Sequence, residues 1–259
     1  MISNISSTKY LAFQLFKRDF TGVYKKSFFG LLWIFISPVI GILSWLILNY
    51  TGLLTPGNIN IPYPAYLLVS TLLWSLFMGS CHAGADTLKS GKAFISLINF
   101  PHEVLLVKQL AQHCAKMSIV FFLNILILLI FNITPSWKIV FLPILIIPLV
   151  LLGAGTGLMV SLLSALTHDF TRVFNIFTGL LMYITPVIYS CTPENKVLSR
   201  ILYFNPLTYQ ICSCRSIMIN GTFHDFQGYI YSSVFCISLF LFFWHLFYVS
   251  EKRVIERIF

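Results

Sequence analysis

The chain has 259 residues, 58% of them apolar and 10% charged, with a mean hydropathy of +0.86. A soluble domain carries about 25% charged residues, so this composition excludes water-soluble enzymes, disordered tails and DNA-binding modules and places the chain in a bilayer. The 17 Lys and Arg against 8 Asp and Glu give a formal charge of +9. No cluster of bases with interleaved aromatics lies outside the apolar stretches, so the excess reads as basic cytoplasmic loops, and nucleic acid is not an expected partner.

In chain order, residues 1–27 place Phe13, Phe16, Phe20, Val23 and Tyr24 on one helical face and Arg18, Lys25 and Lys26 on the other. That is the pattern of a helix lying in the cytoplasmic interface, either as a retention signal or as a docking surface. No formal charge occurs between Lys26 and Asp86. The 59 residues 27–85 are too long for one crossing, and the PGNINIPYP stretch at 56–64 supplies the turn that divides them into spans 28–50 and 65–85. Further apolar stretches predict spans at 104–131, 139–166, 173–189 and 229–249. The expected fold is therefore an all-α integral membrane protein with six crossings and both termini on one side. Eleven bases fall on that side and four (Lys138, Lys196, Arg200 and Arg215) on the other, which makes the termini cytoplasmic.

The chemistry-bearing motifs are few. Gly91 and Lys92 are followed by Ala93 and lack the upstream glycine of a phosphate-binding loop, so the chain is expected to bind no ATP and no other cofactor itself. Gly153, Gly155 and Gly157 lie within an apolar span, where small residues at this spacing read as a helix-packing face. The eight acids are dispersed, the six His form no H-x-x-x-H, and a metal site is not expected. Cys191, Cys212 and Cys214 share the outer side and either pair there or serve as small apolar residues.

The most informative polar feature is on span three. Lys108, Gln109, Gln112, His113 and Lys116 cover an arc of about 140° at 100° per residue. They form either a wetted helix end with snorkelling lysines or the basic wall of an entrance for an anionic lipid headgroup, with Lys108, Gln112, His113 and Lys116 as candidates. On the outer side, residues 191–228 are long yet apolar. The chain breaks at Asn205 and Pro206, and Leu207, Ile211, Cys214 and Met218 then follow a helical period. A hairpin that lies on the membrane or dips back into it fits this pattern, and as an outer gate it would involve Glu194, Arg200, Asn205, Pro206 and Arg215.

An ordered set of residues resembles the type-2 class of ABC exporter permeases, in particular those for O-antigen and related polysaccharides. It begins with Arg18, Asp19, Tyr24, Lys25, Ser27, Gly30, Leu32, Trp33 and Pro38, and continues with Trp74 and with Asn99, Phe100 and Pro101. Asp169 with Arg172, the run from Tyr183 through Thr185 and Pro186 to Tyr189, Pro193 with Glu194, and Asn205, Pro206 and Leu207 complete it, with Asn220, Gly221 and Thr222 at its end. The chain departs from the family pattern at His102 and His168, where relatives often carry Arg.

The resemblance implies a homodimer of this chain with two copies of a separate ATPase, which holds ATP and Mg, and a lipid-linked polysaccharide as cargo moved through an aromatic-lined channel. It also implies a coupling helix at 87–100, with Thr87, Phe94, Ile95, Leu97, Ile98 and Phe100, together with Arg18 and Asp19, meeting the ATPase. The setting is the bacterial cytoplasmic membrane. A type-2 exporter of drugs or small lipophiles shares the fold, and a membrane-embedded glycosyl- or phosphotransferase is the alternative from another class. An interfacial acid cluster would mark the transferase.

Overall fold

Helices make up every regular element among the described residues, and no strand occurs there. A bilayer offers no water to backbone N–H and C=O groups, which a helix satisfies within its own segment. The computed structural model describes residues 32–54, 56–59, 61–87, 103–167 and 169–258. In chain order the helices are α1 (Leu32–Tyr50), α2 (Tyr63–Ala85), α3 (Glu103–Ile130), α4 (Leu142–Leu145), α5 (Ile147–Leu166), α6 (Asp169–Leu181), α7 (Lys196–Phe204), α8 (Pro206–Asn220) and α9 (Phe226–Ile258), with a 3-10 turn at Trp137–Phe141. Among the described residues, four tracks are long and apolar enough to cross a membrane: Tyr63–Ala85, Leu105–Ile130, Trp137–Ser164 and Phe226–Ser250. The helix expected at 1–27 lies outside the described residues, as do His102, His168 and the coupling segment beyond Thr87.

α2 is the central helix. Some 72% of its spanning window is buried, against 17% for α3 and 22% for α9. The sequence explains this, because α2 carries small residues on several sides where neighbouring backbones can approach. Cβ atoms added at Gly153 and Gly84 would stand 2.6 Å from the carbonyl oxygens of Phe77 and Ala154, and one at Gly157 would strike the Cys81 carbonyl. Gly155, on the opposite side of α5, faces the Phe240 backbone of α9 at 2.9 Å. The expected small-residue face thus packs α5 between α2 and α9. In lipid, where burial from water contributes little between helices, such van der Waals contact is the main attraction.

Two boundaries differ from the sequence expectation. The fifth span, expected as one helix at 173–189, is helical only to Leu181. Thirteen residues make about 20 Å, less than the roughly 30 Å of hydrocarbon. Beyond Leu181 the chain tightens into i→i−3 bonds, Tyr183 N–H to Leu180 O, Ile184 N–H to Leu181 O and Thr185 N–H to Met182 O. Pro186 then has no N–H to donate and pushes Thr185 away from helical angles. The fourth span, expected unbroken at 139–166, is a 3-10 turn followed by α4 and α5. Pro143 and Pro148 each stand near a helix start, where a missing N–H costs nothing.

The connections gather at two ends. At one, Ser190 N–H bonds to Pro56 O at 2.8 Å, Tyr63 Oη bonds to Ile188 O at 2.9 Å, and Gly221 lies against Ser136. The loops after α1, α3 and α6 therefore share that end. Toward the other, Leu106, Ala154, Leu158, Phe240 and Phe247 form a second apolar cluster.

Candidate functional site

Among the described residues, two features combine polar side chains with an open cavity and bear on function. The first is a cavity of about 570 Å³ walled by α1, α2 and α3, with Met182 closing one side. Trp33 and Trp45 come from α1, Trp74 from α2, and Lys116, Val120 and Asn124 from successive turns of α3. Eight residues separate Lys116 from Asn124, about 12 Å along the helix, so the cation and the amide mark two levels of one cleft. Asn124 is 1% exposed; its Nδ2 donates to Val120 O at 3.0 Å, while its Oδ1 is buried with no hydrogen-bond partner among the described residues. Thr71 and Ser75 add hydroxyls, although Thr71 already donates to Leu67 O. On the α1 wall, Pro38 cannot bond to the carbonyl four residues back, and a Cβ at Gly41 would meet nothing within 4 Å. Indole faces beside a lysine suit a ligand with both a ring and an anionic group.

The polar face of α3 turns inward. Val107, Ala111, Cys114 and Ser118 are exposed on the opposite side, whereas Lys108 is 5% exposed. Of the four residues expected at an entrance, however, only Lys116 lines the cavity. His113 instead packs its ring on α2 at Gly79, where no side chain intervenes, and a ring nitrogen lies 3.1 Å from Leu76 O. Lys108 and Gln112 do not line the cavity either. The arc of about 140° is wide enough to touch both α2 and the cleft, and spacing alone does not say which neighbour each residue meets.

The second feature lies at the end where the loops after α1, α3 and α6 meet. α8 is delimited as its sequence suggests. Asn205 Oδ1 caps Leu207 N–H at 3.0 Å, Pro206 stands in the first turn, and Gly221 at φ 68° takes the left-handed C-cap, its N–H serving the Ser216 and Ile217 carbonyls. Leu207, Ile211, Cys214 and Met218 are all buried. α8 thereby carries Arg215 inward to 4% exposure. Its Nη1 donates to Ser70 Oγ at 2.8 Å and Pro186 O at 2.9 Å, its Nη2 meets the sulfurs of Cys191 and Cys212, and its guanidinium stacks 4.2 Å from the Tyr66 ring centre. Tyr66 Oη in turn donates to Tyr189 O. Cys191 and Cys212 form a disulfide, which selects one pair of the three outer cysteines.

The remaining gate candidates separate. Asn205 Nδ2 ties α8 to Ile184 O and Thr185 Oγ1, and Pro206 O accepts from Ser232 of α9. Glu194 and Arg200 lie exposed around α7, away from Arg215. Partial burial and the Arg215 charge push the nearby His224 imidazole below its usual value, with Asp225 acting in the opposite direction. Thr87, the one coupling candidate among the described residues, is buried and donates to Ala83 O at 3.0 Å. Tyr66, Ser70, Trp45 and Asn124 carry no signal in the sequence. They sit in chargeless stretches, 27–85 and 117–137, where only three-dimensional packing distinguishes a functional polar group from a helix-bonded one.

Comparison with known proteins gives this geometry a family. A permease protein of an O-antigen export system, RfbA of Myxococcus xanthus, is 21% identical over 228 residues, 87% of this chain and 86% of that protein. Two O-antigen export system permease proteins RfbA of Klebsiella pneumoniae are each 24% identical, over 207 and 228 residues, covering 79% and 86% of this chain. The sequence profile of ABC-2 type transporters matches residues 10–219, and the chain belongs to the ABC-2 type transporter family.

Proposed function

We propose that the chain is the transmembrane subunit of an ATP-driven exporter that carries lipid-linked polysaccharide across the bacterial cytoplasmic membrane. The observation that carries this reading is the likeness to O-antigen export permeases, which extends over 79% to 87% of the chain. The cavity supports it chemically: three tryptophans offer stacking faces to sugar rings, and Lys116 offers a cation to a lipid phosphate. The working unit is a homodimer with two separate ATPase subunits, and the chain contributes no ATP site. It crosses the membrane six times with both termini cytoplasmic, an arrangement in keeping with the loops after α1, α3 and α6 meeting at one end. Residues 87–100 form the coupling segment. α7 and α8 form a hairpin at the outer end, held by Asn205 and Arg215.

The test is reconstitution with the ATPase in vesicles that contain the lipid-linked glycan. ATP turnover is expected only from the complex, and the glycan is expected to raise it. Lys116→Ala should reduce the stimulated rate by tenfold or more and leave the basal rate in place, while Lys116→Arg should retain most of the stimulation. Specific ATP hydrolysis by the chain alone would overturn the subunit assignment. Normal export by Lys116→Ala at matched expression would remove the headgroup role of the cavity.

A further inference from the structure

Arg215 is a buried cation, and among the described residues no acidic side chain lies within ion-pair distance of it. A guanidinium has five N–H donors and no acceptor. Two of the four atoms that receive its hydrogen bonds are sulfurs, which accept weakly. The charge is thus held by a hydroxyl, a carbonyl and a ring face rather than by a counter-charge, an arrangement that leaves it under-compensated in a poorly solvated place.

Beside it opens a second cavity of about 180 Å³. That is room for a phosphate or diphosphate group. Asn58, Thr192, Ser216 and Asn220 line it with amides and hydroxyls that make no side-chain hydrogen bond to the described residues, and His224 stands at its edge. No acid lines it. The sulfurs of Cys191 and Cys212 and a nitrogen of His224 lie within 4.8 Å of one another, a spacing that would suit a cation. The sulfurs are joined in a disulfide, however, and the guanidinium against them repels a metal ion, so the local charge favours an anion.

We propose that this cavity is an oxyanion site of the phosphate class, with Arg215 supplying the charge and Asn58, Thr192, Ser216 and Asn220 the neutral donors. Resting on the exporter reading above, its ligand is the phosphate that links a glycan to its lipid, received as cargo reaches this end of the molecule. The oxyanion chemistry itself does not depend on that reading. An incoming phosphate oxygen takes the guanidinium donors now spent on sulfur, a stronger charge-assisted bond, and fills its remaining valences with the unpaired amides and hydroxyls.

The experiment uses the full-length chain in nanodiscs without any ATPase. Inorganic pyrophosphate is titrated by calorimetry, and a short polyprenyl diphosphate is compared with the matching polyprenol. Ser216→Leu and Asn58→Leu fill the cavity while leaving the Arg215 bonds to Ser70 and Pro186 in place, and both variants are checked for unchanged thermal unfolding. Wild type is expected to bind pyrophosphate, and each filling variant to lose tenfold or more in affinity. Displacement of pyrophosphate by the polyprenyl diphosphate, and not by the polyprenol, identifies a lipid headgroup as the source. Pyrophosphate binding without that displacement assigns the site to free phosphate and separates it from cargo handling. Absence of pyrophosphate and diphosphate-lipid binding, or equal binding by wild type and both filled variants, overturns the proposal. Failure of glycan export with intact, Ser216-dependent pyrophosphate binding would instead count against the exporter reading alone.

Discussion

At Gly157 a methyl group would land on the Cys81 carbonyl and stand 2.8 Å from the Gly84 backbone, whereas at Gly41 it would meet nothing within 4 Å. The two glycines therefore make opposite predictions. Gly157→Ala forces α2 and α5 apart along their whole contact, because backbone cannot rotate away as a side chain can, and overpacking of this kind costs about 1–3 kcal/mol or more. It should lower the unfolding temperature in detergent and reduce the yield of monodisperse protein. Gly41→Ala should leave both unchanged, since the helix only gains a better former. Gly41→Trp should fold but fill the cleft and abolish glycan-stimulated ATPase activity. Equal stability of Gly157→Ala and wild type would show that the α2–α5 approach is looser than the structure has it. The small-residue face was legible in the sequence because an apolar span has few reasons to carry three glycines in five residues.

Among the elements, α8 is the best specified by sequence and α6 the least. The cap residues Asn205, Pro206 and Gly221 bracket α8, and the period of Leu207, Ile211, Cys214 and Met218 fixes its buried face. Hydropathy carried the fifth span through to residue 189, because it does not register that Pro186 ends the hydrogen-bond ladder and tightens the turns before it. The inward turn of α3 was legible as a polar stripe. Its division between α2 and the cleft was not, because contact with Gly79 rather than spacing places His113. The disulfide lay among open pairings until α8 brought Cys212 to the 188–192 loop. It closes a loop with a sequence separation of 21, for which the chain-entropy estimate is about 3 kcal/mol. Cys191→Ser and Cys212→Ser should each lower the unfolding temperature, as should a reductant acting on wild type, and the reductant should add nothing to either variant. A wild-type unfolding temperature indifferent to reductant would show that the bridge does not constrain the unfolded chain.

Among the described residues α2 is the element that touches the Arg215 cluster, the tryptophan cavity and Thr87. Near its Tyr63 end Tyr66 and Ser70 hold Arg215, midway Thr71, Trp74 and Ser75 line the tryptophan cavity, and at its far end Ala83 O accepts from Thr87, where the proposed coupling segment begins. The helix is buried over most of its length and spans about 34 Å at 1.5 Å per residue, so a push at Thr87 moves it as a rod rather than bending it. Transmission of that kind requires a stiff connection between residues 88–100 and α2. Inserting two glycines after Thr87 should therefore leave folding, ATPase binding and basal ATP hydrolysis intact while reducing glycan export tenfold or more. A charge placed at Ile95 or Leu97 should instead weaken ATPase binding itself, because apolar residues in a short loop dock by filling a groove. The two lesions are separable by measuring complex assembly and export on the same preparations. Normal export by the glycine insertion would mean that α2 does not relay the stroke as a rigid body, and that the cleft and the Arg215 cluster respond to ATP by another route.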